Sequence, residues 1–243
     1  MQAIDFAVIG GTGLYALDEL TDIQTHSFDT RFGPPSGAIT TGRWQHLHVA
    51  FLARHGDAHT IAPHRVNYRA NIAALLALKV QRVVSVNAVG GISLGPPSLA
   101  VCDQIIDYTH GRLSSFSDFE GEKVEHIDFS EPYTMSLRQQ LLAAASKQGL
   151  SVHAGGVYGC TQGPRLETRA EVAKLKRDGC DVIGMTGMPE AALAREAGLS
   201  YASLSVVANW AAGCGDAAEI TLAEIFANLK IGMQSVRQIL LGL

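Results

Sequence analysis

Apolar runs in this 243-residue chain repeatedly end on glycine or a small polar side chain: "IGGTG", "ARHG", "VNAVGG", "YGCTQGPR", "IGMTGMP" and "VVAN". In "GGTGL", residues 10–14, Gly11 offers a backbone N–H without Cβ hindrance and Thr12 adds a hydroxyl, a pairing suited to an oxyanion such as phosphate. The plainer reading is a tight strand-to-helix turn, since the full dinucleotide-binding spacing is missing. "RHG" supplies Arg54, a permanent planar cation matched to a phosphate fork, and His55; its plainer reading is a surface ion pair. "MTGMPEA" sets Thr186 ahead of a Pro-started helix, either an anion cradle or a simple N-cap. Each motif is ambiguous alone, but three on one rim favour an oxyanion. His55 and His59 are four residues apart and His64 follows, yet Gly56 and Pro63 oppose a helix presenting them together. No carboxylate completes a ligand set, so no metal is expected.

These groups need a scaffold that gathers strand ends. Residues 4–10, 46–56, 82–92 and 103–109 read as strands, as do "SVHAGGVYGC", "CDVIGMT" and "SYASLSVVAN". Between them, residues 67–80, 136–148, 167–178 and 189–198 have helical periodicity, and "TLAEIFANLKIGMQSVRQILLGL" is a long amphipathic helix. Residues 111–132 are polar, aromatic and irregular, which predicts a long surface loop. Such alternation predicts a single α/β domain over residues 1–243, an α/β/α layering around a mixed sheet. In open α/β sheets ligands sit at the carboxyl ends of strands, so the polar endings should converge on one site.

A hydrophobic content of 47% is enough for a substantial core, and a net charge of −4 with no long Lys/Arg run argues against a nucleic-acid partner. The four cysteines, Cys102, Cys160, Cys180 and Cys214, are widely spaced and predict reduced thiols rather than a zinc site or disulfides. No apolar run reaches bilayer-spanning length and no basic region precedes "IDFAVIG", so a cytoplasmic protein without membrane contact is expected.

"AVIGGTGL", "ARHG", "PHRVNYRANIAAL", "DQIIDYT", "GGVYGCTQGPRLETRAE" and "GMTGMPEAALAREAGLSYASLSVVAN" resemble, in order and over nearly the full length, the purine nucleoside phosphorylase and methylthioadenosine phosphorylase family. The resemblance implies the nucleoside phosphorylase fold with a mixed, partly barrel-like sheet, a homotrimer or a hexamer, and pentosyl transfer to phosphate. Inorganic phosphate is then a co-substrate and no cofactor is needed. Thr12, Arg54, His55 and Thr186 match the family's phosphate ligands, Asn87 and Ala88 complete that cradle, and Met185 matches the residue beneath the ribose.

The base end is decided by residue type. The family's 6-aminopurine branch ends its last strand on an aspartate pair, where this chain has Asn209 and Ala211; its 6-oxopurine branch uses Asn with a Glu matched by Glu167 of "GPRLET". An amide facing O6/N7 and a carboxylate accepting from N1–H complement a 6-oxopurine, whereas adenine presents a bare N1 to the carboxylate. Glu167 also admits a plainer role as an acid favoured by a helix N-terminus. Leu166 stands where the family stacks Phe on the purine, and "PPSLAVCDQIID" lacks the usual Pro-Gly-Asp. At the other end of the nucleoside, no His follows His153, and Leu222 and Phe226 are apolar, as in the methylthio branch. "EHIDFSEPY" resembles a loop lent to a neighbouring subunit, which would bring His126 over that pocket. The expected reaction is phosphorolysis of 5′-methylthioinosine. Methylthioadenosine, inosine or guanosine as substrate, a hydrolytic nucleosidase and a non-catalytic purine-binding protein are the alternatives.

Overall fold

The structure is a computed structural model and describes residues 3–11, 19–117, 124–215 and 219–243. In chain order the strands before the first helix are β1 (Phe6–Gly10), β2 (Leu20–His26), β3 (Ile39–Trp44) and β4 (Leu47–Ala53). Helix α1 (Tyr68–Ala77) is followed by β5 (Arg82–Gly91), β6 (Ser98–Val101) and β7 (Gln104–Asp107). Then come α2 (Met135–Lys147), β8 (His153–Ala154), β9 (Val157–Cys160), α3 (Arg169–Arg177), β10 (Val182–Gly184), α4 (Gly187–Glu196), β11 (Ser200–Trp210) and α5 (Leu222–Leu241).

Among the described residues the strands form one 11-stranded mixed sheet that runs β2-β3-β4-β1-β5-β10-β9-β7, with β11 on β5, β6 on β11 and β8 on β6. β5 is the branch point. Its first half pairs parallel with β1 through Val83, Val84 and Ser85, and its last residues, Gly90 and Gly91, pair antiparallel with β10. β11 runs parallel beside it and shifts register between Val207 and Asn209. A bulge there bends the strand and re-aims Asn209, now opposite Gly90.

Period-two alternation feeds two apolar layers. Phe6 and Val8 of β1 pack with Val84, Val86, Leu204 and Val206 against α2 and α5. Ala7 and Ile9 pack with Val83, Ile72, Leu75 and Leu193 against α1 and α4. Helices on both faces explain why β1, β5 and β11 read as continuous apolar runs. The helices carry local start signals: Asn67 caps α1 through Ala70 N, and Thr168 and Glu171 form a reciprocal capping box on α3.

Two readings of the sequence change. "SVHAGGVYGC" is two short strands, because Gly155 and Gly156, at φ 114° and 105°, turn the chain so that β8 joins β6 while β9 joins β10 and β7. β2, β3 and β6 have no predicted counterpart; in β2 five residues in a row are exposed and show no alternation. Among the described residues no helix is long and apolar enough to cross a membrane.

Candidate active site

A cavity of about 500 Å³ lies where the ends of β1, β4, β9, β10 and β11 meet the last residues of β5, Ala88 to Gly90. It brings together Gly11, Arg54, His55, Ala88, Leu166, Glu167, Met185, Thr186, Asn209 and Ala211.

Arg54 follows β4 and is 1% exposed. Its Nε and Nη2 grip the two carboxylate oxygens of Glu190 at 2.7 and 2.9 Å. Nη2 also reaches Ser85 Oγ at 2.7 Å and Nη1 reaches the Val86 carbonyl at 3.2 Å. Glu190, fully buried on α4, accepts further bonds from Ser85 Oγ at 2.7 Å and Tyr201 Oη at 2.9 Å. Burial opposes the Arg54 charge, yet the facing carboxylate of Glu190 holds its pKa above the ordinary arginine range. Nη1 stays at the cavity wall: a Cβ added to Gly11 would lie 3.6 Å from it and 3.8 Å from His55 Nε2.

His55 Nδ1 lies 2.8 Å from the Ile61 carbonyl, an acceptor, so Nδ1 carries the proton and Nε2 is left for the cavity. Burial, reinforced by the Arg54 charge, pushes the imidazole from 6.5 down to about 4 despite that bond. Beside it His59 lines the cavity in a left-handed conformation, φ 52°, with the two rings 4.7 Å apart. His64 sits in the short turn Pro63–Arg65, and among the described residues no three His, Cys, Asp or Glu side chains converge as a metal site.

Thr186, between β10 and α4, donates its hydroxyl to Asn87 Oδ1 at 2.9 Å. Asn87 is 2% exposed and donates in turn to Ser203 Oγ at 2.8 Å. Its carboxamide therefore acts behind Thr186, and it is Ala88 of the pair that borders the cavity.

Among the described residues, Asn209 Nδ2 donates one hydrogen to the Trp210 carbonyl at 2.8 Å, leaving one N–H and the amide oxygen for a ligand. Glu167 precedes the α3 N-cap and accepts from Thr161 Oγ1 at 2.6 Å. Its carboxylate thus belongs to the loop after β9 rather than to the first turn of α3.

Some predicted groups sit elsewhere. Leu222 and Phe226 are 70% and 55% exposed and do not line the cavity of this chain; Ile225 on the same helix does, as does Ile220 just before the N-cap Thr221. His126 is exposed and off the cavity lining. Thr12 lies outside the described residues. Sequence reading passed over Glu190, whose signal was a lone acid in the otherwise apolar start of α4, and also Ser85, Ile220 and Ile225.

A profile of the phosphorylase superfamily matches residues 5–243. A probable S-methyl-5′-thioinosine phosphorylase of Xanthomonas campestris pv. campestris is 55% identical over 241 residues, covering 98% of this chain and 96% of the relative. One of the same description from Xylella fastidiosa is 57% identical over 231 residues, covering 94% and 98%. Among solved structures, a methylthioadenosine phosphorylase from an Antarctic soil metagenomic library is similar at a TM-score of 0.92 and 36% identity, covering all of this chain and 85% of that one.

Proposed function

The chain belongs to the phosphorylase superfamily, and on that premise we propose that it cleaves 5′-methylthioinosine with inorganic phosphate, giving hypoxanthine and 5-methylthioribose 1-phosphate. The observation that carries the choice of base is the pairing of Asn209 with Glu167 in the same cavity as Arg54, His55 and Thr186. The names of the relatives from Xanthomonas and Xylella support the same substrate.

A phosphate oxygen attacks C1′ as the C1′–N9 bond breaks, and the bonding pair moves into the purine. Arg54 Nη1, the Gly11 N–H and the region of Thr186 hold the dianion in line with an oxocarbenium-like carbon, and positioning of this kind supplies much of the rate. The free N–H of Asn209 donates to O6 or N7, where negative charge collects, and Glu167 accepts from N1–H. Adenine reverses the donor pattern at the 6-position and lacks the N1 proton, which leaves Glu167 without its bond. Met185 lies under the ribose and Leu166 against the base. Ile220 and Ile225 present an apolar wall to the 5′-methylthio group, where a hydroxyl would go unpaired.

A neighbouring copy in a homotrimer or hexamer covers the exposed Leu222 and Phe226 and brings in His126. Phosphate is the co-substrate, and no cofactor takes part.

The test is kcat/KM on methylthioinosine, methylthioadenosine and inosine with phosphate. Methylthioinosine should lead by at least tenfold. A preference for methylthioadenosine removes the base-edge argument, a preference for inosine removes the apolar-tail argument, and base release without phosphate identifies a hydrolase.

A further inference from the structure

Arg112 lies in the irregular segment after β7, where the chain returns across the ends of β9 and β10. Its guanidinium is clamped by backbone. Nη1 donates to the carbonyls of Met185 at 2.9 Å and Met188 at 2.5 Å, and Nη2 to those of Gln162 at 2.9 Å and Thr161 at 3.3 Å. Nε reaches Gln162 Oε1 at 3.1 Å, and Nη1 touches Tyr68 Oη at 3.2 Å with the Tyr68 ring 5.5 Å away. No carboxylate pairs with it among the described residues.

The two groups of carbonyls belong to different segments, the loop after β9 and the junction of β10 with α4. One is the 161–167 loop, in which Thr161 holds Glu167. The other is the 185–188 segment, which carries Met185 and Thr186 into the cavity. A planar fork with donors fixed in one plane sets the separation of the loops it bridges more tightly than a flexible point charge does.

Resting on the phosphorolysis reading above, we propose that Arg112 is a positioning residue that locks the base-holding loop to the phosphate-holding loop, so that occupation of one subsite pre-organises the other. It touches no substrate. Its effect is felt in the spacing between the attacking phosphate and the leaving purine, where small displacements cost rate steeply.

The test uses Arg112→Met and Arg112→Lys in the full chain. Calorimetry gives the phosphate dissociation constant with and without saturating hypoxanthine, and steady-state kinetics gives kcat and both KM values. Wild type should bind phosphate at least fivefold tighter when hypoxanthine is present. Arg112→Met should lose most of that coupling and at least tenfold in kcat, while its phosphate affinity without hypoxanthine changes less than threefold. Arg112→Lys, which keeps the charge but reaches fewer carbonyls, should fall between, and it carries the test if Arg112→Met does not fold. A folded variant with coupling and kcat within twofold of wild type overturns the proposal. So does absence of coupling in wild type, or a kcat loss matched by an equal loss of active-site concentration. Failure of the phosphorolysis reading is seen separately, as wild-type protein that releases no base with phosphate.

Discussion

Asn209 and His55 were both legible as isolated residues, one as an amide ending an apolar run and the other beside a cation. Their surroundings assign them different tasks. For Asn209, with one N–H held by the Trp210 carbonyl, replacement by aspartate substitutes an acceptor, or a proton donor to N7, for the amide. Asn209→Asp should raise the ratio of kcat/KM for methylthioadenosine over methylthioinosine at least tenfold. An unchanged ratio with a lower Tm would mean that the amide only closes the strand. For His55, burial lowers the folded-state pKa to about 4 from 6.5. The unfolded chain therefore takes up the proton first, and stability from this residue is full above about pH 6.5 and is lost as pH falls towards 4. His55→Asn, whose Nδ2 takes over the bond to Ile61, should show a shallower loss of urea stability between pH 6.5 and 4 than wild type. Parallel curves for the two proteins would count against this assignment.

At the level of elements, the site depends on how strands end and how closely helices approach them. The bulge in β11 brings Asn209 beside Gly90, and α5 packs on the preceding part of β11 through a glycine. A Cβ on Gly232 would run into Val206 of β11, a β-branched side chain with little freedom to move. Alanine gains roughly 1 kcal/mol in helix propensity, but overpacking a core costs about 1–3 kcal/mol. Gly232→Ala should therefore be net destabilising by up to about 2 kcal/mol in chemical denaturation, and a rise in stability would show that α5 is free to shift. The long apolar strands and capped helices were readable because their signals are local. β2 was not, because an exposed edge strand buries no face and so leaves no alternation in the sequence.

For the whole molecule, the exposed pair Leu222 and Phe226, four residues apart on one side of α5, is the apolar surface that the proposed assembly has to cover. Phe226→Lys should lower the mass measured by light scattering and reduce the preference for methylthioinosine over inosine at least fivefold. An unchanged mass together with unchanged preference would place the subunit contact elsewhere. His126, singled out through the resemblance of "EHIDFSEPY" to a loop lent to a neighbouring subunit, is exposed and lies off the cavity lining of the chain.

What the sequence determined by itself was the chemistry on offer: strand ends bearing Gly11, Arg54, His55, Thr186 and Asn209, an alternation of strands and helices, and a carboxylate in "GPRLET". These are properties of residue type and short spacing, and short-range physics expresses them directly. Only the tertiary structure decided which of them share a cavity and what stands behind each. Arg54 meets Glu190 across 136 positions of chain, Asn87 meets Thr186 across 99, and Arg112 meets Met185 across 73. Contacts of that separation leave no periodic trace along the chain; they exist because a branched sheet and two packed faces bring distant strand ends to one rim.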